Sequence, residues 1–190
     1  MFPVDTFHKT LARIAAILTR HQIRFHLTGG LTGTAYGEPR MTQDIDLVID
    51  PDQTSRVMDA FLQSLSESDF LFDEPSLRDA VQRGEMFQLL DQREVLKLDL
   101  YPRELIEGEL SRSENMELFA GTMFPVVCRV DAAASKLVWI SKGSHKSRRD
   151  LRAIYRTASQ AEQAEMAAHA SRLGLADLLA EVLAEPDEIM

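Results

Sequence analysis

Apolar and polar positions along the chain recur with two periods, and the switches between them divide it into elements. Phe7, Leu11, Ile14, Ala15 and Leu18 recur at helical spacing behind Asp5 or Thr6, either of which can cap the helix, and it ends near Gln22. Residues 23–27 alternate as a strand and run into Gly29-Gly30, and a short helix through Thr32 and Tyr36 is stopped by Gly37 and Pro39. Residues 44–50 alternate again, and Pro51-Asp52 opens a helix whose apolar side is Val57, Met58, Phe61 and Leu62. Phe70-Leu71-Phe72 reads as a strand and 77–81 as a short helix. Residues 86–90 and 94–101 form the arms of a hairpin joined through Asp91-Gln92-Arg93. Broken strand character over 117–130, interrupted by Gly121 and Pro125, gives way to helix from Asp131. One helix covers 133–141, a break falls at Gly143-Ser144, a second starts near Lys146, and Ala/Glu-rich helices occupy 161–184.

This order predicts an α+β fold: a small central mixed β-sheet flanked by helices. The expected organisation is a core over residues 1–130 with a C-terminal helical region, 131–190, packed on it. There is no internal repeat and no low-complexity linker. A chain of 190 residues with 45% hydrophobic content has the means to build such a core, which argues against disorder.

The phasing of two strands carries the first chemistry. With a period of two, Asp44, Asp46, Val48 and Asp50 share one face while Ile45, Leu47 and Ile49 face the core. Residues 94–101 repeat the geometry, with Leu96, Leu98 and Leu100 inward and Val95, Lys97, Asp99 and Tyr101 outward. If these strands are neighbours, Asp99 joins Asp44 and Asp46 on one surface. Like charges so close repel, and a hard divalent cation is the usual remedy. Three carboxylates suit two Mg²⁺ ions, one orienting a triphosphate and one activating a hydroxyl, with Asp99 as candidate general base.

Gly29-Gly30, at a strand-to-helix turn, can bring backbone N–H groups close to a phosphate. Arg40 can contact a phosphate, pair with a carboxylate of the site, or stand as a surface charge. Thr42 is placed to hydrogen-bond backbone where the strand begins.

Charge changes the picture in one window. The chain carries −9 overall, which argues against a general nucleic-acid binder, yet residues 132–156 hold seven basic residues and the single acid Asp150. On the helix there, His145, Arg149, Arg152 and Arg156 fall on one face, a stripe for a triphosphate or an RNA acceptor, and Asp150 can pair with Lys146 one turn back. Trp139 is expected in the core beside Leu137, with base stacking as the alternative. The single cysteine, Cys128, cannot form an internal disulfide and reads as a small buried hydrophobe. The chain opens without a basic, continuously apolar leader and has no segment of membrane-spanning length, so no membrane partner is expected and the cytoplasm is the expected location.

Taken together, Gly29-Gly30, Arg40-x-Thr42, Asp44-x-Asp46 and the distal Asp99 resemble the nucleotidyltransferase superfamily with the polymerase-β-like palm. The likeness is greatest to small bacterial nucleotidyltransferases of the abortive-infection and toxin–antitoxin type. Their helical region carries a Lys and a basic-Asp-Leu motif, matched here by Lys136 and Arg149-Asp150-Leu151. The resemblance spans roughly residues 25 to 155. It implies Mg²⁺-dependent transfer of a nucleoside monophosphate from a nucleoside triphosphate (NTP) to a hydroxyl acceptor, with release of pyrophosphate. The acceptor would be an RNA such as tRNA, or a protein, and an antitoxin is a possible partner. Asp44, Asp46 and Asp99 would be catalytic and hold the metal, and Gly29, Gly30, Arg40, Thr42, Lys136 and Arg149 would bind the nucleotide. The chain departs from the pattern at Ala153, where relatives often carry Asp, and at Thr32, where a small Ala is common. Two other readings stand beside this one: a catalytically inactive nucleotide-binding or regulatory module, and a carboxylate-metal phosphohydrolase, the latter weakened by the lack of an accompanying histidine.

Overall fold

The structure, a computed structural model, describes residues 4–38 and 42–186. A seven-stranded mixed sheet forms its centre. The strands are β1 (Phe25–Thr28), β2 (Asp44–Ile49), β3 (Phe70–Leu71), β4 (Phe87–Asp91), β5 (Leu96–Tyr101), β6 (Glu114–Phe119) and β7 (Thr122–Val126), in the order β3-β4-β5-β2-β1-β7-β6. β2 is antiparallel to β1 and parallel to β5, and its register sets Asp46 directly opposite Asp99. The strand neighbourhood on which a shared carboxylate surface depends is therefore present.

The inward faces follow the alternation. Ile45, Leu47, Ile49, Leu96, Leu98 and Leu100 are fully buried. Leu89 and Asp91 of β4 stand opposite Leu98 and Leu96, so Asp91 shares this apolar face. There it meets α1 (Val4–Arg20), which buries Leu11, Ile14 and Leu18 against the sheet. The Thr10 hydroxyl donates to Asp91 Oδ2 (2.5 Å), Arg13 pairs with the same oxygen, and Oδ1 accepts from the backbone N–H of Arg93 (2.9 Å) and Glu94 (3.3 Å). One buried carboxylate thus ties the first helix to the β4–β5 turn.

Some element boundaries fall where capping chemistry puts them. Asp50 accepts from Gln53 N and starts α3 (Pro51–Arg56), and Asp73 accepts from Ser76 N at the start of α5 (Glu74–Arg83), which Gly84 closes at φ +66°. The helix expected to run on from Pro51 is two: Val57 interrupts it, and α4 (Met58–Glu67) carries Phe61, Leu62 and Leu65 into the core. The broken strand is a hairpin that begins earlier than expected, at Glu114, and turns at Gly121. Pro125 is accommodated inside β7.

Beyond the sheet come α6 (Arg129–Ser141), α7 (Lys146–Arg156), α8 (Gln160–Arg172) and α9 (Ala176–Ala184). Met166, Ala170, Leu179 and Val182 of the last two join the same hydrophobic cluster as the strands. The short α2 (Thr32–Tyr36) is tied to this layer by its last carbonyl: Tyr36 O accepts from Arg129 Nη1 (3.0 Å) and Thr157 Oγ (2.5 Å). Among the described residues no helix is long and apolar enough to cross a membrane.

Removing one partner of a buried charged network leaves the others unsatisfied, at about 3–5 kcal/mol. Asp91→Ala is therefore expected to lower the unfolding free energy by about that amount in urea denaturation, whereas Asp59→Ala, on an exposed pair with Arg78, leaves the midpoint almost unmoved.

Candidate active site

The carboxylate face of the sheet looks across a cleft to α6 and α7. Asp46 is at its centre, and its neighbours explain the Gly-Gly pair. Gly29 opens a 3-10 turn at φ +65°, and a Cβ there would lie 1.8 Å from Asp46 Oδ2. Only glycine allows both the left-handed backbone and this approach. Gly30 N–H points at Asp46 Oδ2 (3.4 Å), and the Tyr101 hydroxyl approaches Oδ1 at 3.4 Å. The five-residue helix that follows is too short to contribute much of a dipole, so what this turn offers an anion is its backbone N–H groups.

The Gly29 carbonyl has two donors. It accepts from Thr32 Oγ (2.7 Å) and from Lys136 Nζ (2.9 Å), whose ammonium also donates to Asp150 Oδ2 (2.8 Å). Lys136 and Asp150 are both buried. The expected Lys146–Asp150 pair is thus replaced: Asp150 points into the α6–α7 interface, and Lys146 is left exposed at the cleft mouth. Thr32 gains a role that Ala could not fill, as a second donor to Gly29. Ala153 is buried, with its Cβ 3.2 Å from the position a Cβ on Gly37 would occupy, so the two small residues let α2 and α7 approach closely.

The other two carboxylates are held as well. Thr42 Oγ donates to Asp44 Oδ1 (2.7 Å), so Thr42 positions a side chain rather than only backbone. Gln88 Nε2, from β4, donates to Asp99 Oδ1 (3.0 Å), and Lys97 Nζ stands 3.9 Å away. With each carboxylate on its own protein donor, no group of three or more His, Cys, Asp or Glu side chains among the described residues is gathered tightly enough to enclose an ion. Their chemistry nonetheless suits one. The Asp46 carboxyl is pushed up to about 6, first by burial and then by the charges of Asp44 and Asp99, and burial raises Asp99 too. A cluster of carboxylates that resists ionisation, offering only oxygen donors, fits a hard divalent cation.

The cleft has a volume of about 440 Å³, and Gly29, Gly30, Thr42, Asp44, Asp46 and Lys136 line it together. It also brings in Tyr101, Trp139, Ser144, Lys146 and Ser147, which the sequence reading did not assign to a site. Trp139 is more than a third exposed rather than in the core, with Lys142 over its ring at 5.2 Å. Helical spacing held a signal for it, because Ala132, Lys136 and Trp139 fall on one face of α6. Cys128 is only partly buried and donates its S–H to Asp131 (3.2 Å).

Asp99 and Arg149, both expected in the site, are not in this lining. Arg40 lies outside the described residues. Arg149 pairs with Glu38 (3.0 Å), which Arg156 also meets. The basic stripe is largely answered within the chain, since Arg148 engages Glu181 and Glu185, and Arg152, buried, engages Glu185.

A sequence profile described as "Nucleotidyl transferase AbiEii toxin, Type IV TA system" matches residues 11–187. The chain belongs to the AbiEii nucleotidyl transferase toxin family. Membership makes it a nucleotidyltransferase, as the resemblance implied, rather than a phosphohydrolase. No curated protein matches it in sequence. Among solved structures it is similar to the antibiotic-resistance factor ANT(2'')-Ia, with a TM-score of 0.59 at 13% identity over 95% of this chain and 99% of the other. It is also similar to an antigenic nucleotidyltransferase-like protein from Paracoccidioides brasiliensis (TM-score 0.55, 19% identity, 96% and 94% covered). A third is the lincosamide antibiotic adenylyltransferase LnuA (TM-score 0.52, 13% identity, 79% and 97% covered). At these identities the likeness is one of fold, and it extends to the mixed sheet and its helices.

The raised Asp46 carboxyl has a signed consequence for the AbiEii-family chain without metal. Its folded pKa, about 6, lies above the ordinary 3.8, so its contribution to stability is present below pH 4 and is lost as pH rises through 6. Above pH 6 the ionised group costs on the order of 1–3 kcal/mol. Asp46→Asn, neutral throughout, should therefore melt above the wild type at pH 7.5, with the gap closing by pH 4. Calorimetric scans across this range in chelator check it, and an equal gap at both pH values contradicts it.

Proposed function

We propose that the cleft transfers a nucleoside monophosphate from an NTP to a hydroxyl acceptor with Mg²⁺, as the toxin component of a toxin–antitoxin or phage-defence system in the cytoplasm. The observation that carries this reading is Asp46 opposite Asp99 on adjacent parallel strands, with Gly29 pressed against the Asp46 carboxylate and Lys136 fixing the Gly29 peptide.

In this reading Asp44, Asp46 and Asp99 hold the metal. When bound, Mg²⁺ supplies charge neutralisation for the triphosphate and acidity for the attacking hydroxyl. The chain's own residues do the rest. Gly29 and Gly30 present backbone N–H groups to the phosphates, a role open to Gly30 once the Asp46 oxygen it now meets turns to metal. Lys136 has two of its three donors committed to the protein, which leaves one for a phosphate oxygen at the floor of the cleft. Thr42 steadies Asp44, and Lys146 adds positive charge at the mouth. Arg40 and Arg149 extend the phosphate-binding set on the strength of the resemblance alone. Asp99, with its carboxyl raised and its position on the outer strand of the pair, is the candidate base for the acceptor hydroxyl. Residues 1–130 would carry the metal and the helices over 131–190 would supply the opposite wall. An RNA such as tRNA and a protein are the acceptor classes, and an antitoxin is the partner that the family description supports.

Incubation with Mg²⁺, each α-labelled NTP and RNA, aminoglycoside or protein acceptors tests this. Label transfer is expected, reduced at least about 100-fold in Asp46→Asn and Asp99→Asn. Gly29→Ala should lose activity similarly while keeping its far-UV circular dichroism. Transfer that persists in Asp46→Asn would overturn the metal assignment.

A further inference from the structure

Beside Asp46 the cleft adjoins a small recess of about 50 Å³. Val48 and Tyr101 of the sheet line one side, Ala132, Ser135 and Trp139 of α6 the other, and Glu109 closes it. Glu109 comes from residues 102–113, a segment without an alternating pattern that folds around two carboxylates. Glu104 accepts from Gly108 N and Leu110 N, and Glu109 Oε1 accepts from Leu105 N (2.6 Å) and Ile106 N (3.4 Å).

Glu109 Oε2 and Ser135 Oγ have no hydrogen-bond partner among the described residues, although Glu109 is 1% exposed and Ser135 6%. Buried polar atoms are almost always paired, so two in one small space call for a donor. Behind Glu109 stands His26, fully buried, with Nδ1 2.8 Å from Ser113 Oγ. The Ser113 hydroxyl donates to Leu110 O (3.0 Å), so it receives the Nδ1–H, and His26 Nε2 then presents a lone pair toward Glu109 Oε2 at 3.8 Å. Burial pushes His26 down to about 4, which keeps it neutral, and pushes the Glu109 carboxyl up to about 7, so Oε2 is a pure acceptor in the ionised form that prevails above that pH. The recess, which Lys136 and Arg103 also line, therefore holds two buried oxygens that no N–H group of the described residues reaches.

Its size and position say what kind of ligand group could reach them. The volume admits only a few non-hydrogen atoms. Gly29, Asp46, Tyr101, Lys136 and Trp139 line recess and cleft alike. A molecule with its phosphates toward Gly29 and Lys136 thus reaches the recess with its other end, and Tyr101 and Trp139 offer aromatic surface to a planar ring.

We propose that the recess reads the edge of the nucleobase: Glu109 Oε2 accepts from the exocyclic amino group of adenine, guanine or cytosine, with Ser135 Oγ beside it. Uracil presents a carbonyl oxygen at that edge and meets an acceptor with an acceptor. Glu109 is then a specificity-determining residue, an assignment that rests on the NTP-transfer reading above.

Trp139 is the sole tryptophan and lines both spaces, so its fluorescence reports binding directly. The full chain is titrated, in Mg²⁺ and without acceptor, with ATP, GTP, CTP, UTP and inorganic tripolyphosphate, and the series is repeated for Glu109→Gln and Ser135→Ala. The wild type should bind at least one amino-bearing NTP 10-fold or more tighter than UTP, a preference of about 1.4 kcal/mol or more. Glu109→Gln keeps an oxygen for the Leu105 and Ile106 N–H groups and turns the other atom into a donor, so it should shift preference toward UTP by at least that factor. Ser135→Ala should narrow the preference, and it carries the test if Glu109→Gln does not fold. Tripolyphosphate, which has no base, should bind all three proteins alike. An unchanged NTP ranking in the folded variants overturns the proposal, as does a defect confined to the KM of the acceptor in the transfer assay. Failure of the wild type to bind any NTP or tripolyphosphate overturns the transfer reading itself, a result distinct from an unchanged ranking.

Discussion

The site depends on one buried ammonium. Lys136 joins the Gly29 carbonyl at the end of β1 to the Asp150 carboxylate of α7, and does so from α6. Three elements distant in sequence are held by two short charge-assisted bonds in a place water barely reaches. A cation there without Asp150 would be an uncompensated buried charge, and the reverse holds for Asp150. The pair therefore specifies a position more than it adds stability. With Lys136 and Thr32 both drawing on the Gly29 oxygen, the Gly29-Gly30 peptide is oriented, and its N–H side turns toward Asp46. Everything across the cleft from α6 takes its place from that orientation.

Against this fixed frame the carboxylates are in tension. Asp46 stands opposite Asp99 in register and two residues from Asp44, and the burial that Gly29 imposes makes its ionised form costly. Thr42, Gln88 and Tyr101 each lend a hydrogen-bond donor to one of the three. These donors hold the carboxylates apart without neutralising them. Such an arrangement favours a ligand that brings positive charge, because binding relieves repulsion already present in the free chain. It is the pattern expected of a site whose fold is paid for elsewhere, here by the continuous core beneath the sheet.

How much of this the sequence disclosed follows from the range of each interaction. Strand phasing placed Asp44 and Asp46 on one face and Asp99 on the outward face of its own strand, because a period of two is local and the neighbouring leucines are unambiguous. That the two strands are neighbours needed the fold. The glycine pair was visible as a turn, but its collision with Asp46 needed the β1–β2 register. Asp150 was assigned to Lys146 by helical spacing, a local rule. Its real partner lies 14 residues away on another helix, and only the α6–α7 packing reveals it. Trp139 was sent to the core by its hydrophobicity, although its spacing from Lys136 already put it on the cleft side. Residues 102–113 gave no periodic signal at all, since their order comes from carboxylates binding backbone N–H groups, and that chemistry leaves no pattern in apolar positions.

The basic window shows the same limit in electrostatic terms. Counted along the chain, residues 132–156 look like a surface for a polyanion. In the fold, Glu38 faces Arg149 and Arg156, and the end of α9 delivers Glu181 and Glu185 onto Arg148 and Arg152. Pairing of this kind shortens the reach of each charge, because a nearby opposite charge cancels its field well within a Debye length. Lys136 is answered by Asp150, whereas Lys146 stands exposed at the cleft mouth. An extended nucleic-acid backbone lying along α7 would meet paired side chains. A triphosphate bound as proposed would meet Lys146 and Lys136 beside the Asp44 and Asp46 carboxylates, whose charge a cation has to offset. The acidic remainder of the chain thus works for selectivity. It withholds the helix from nonspecific polyanions.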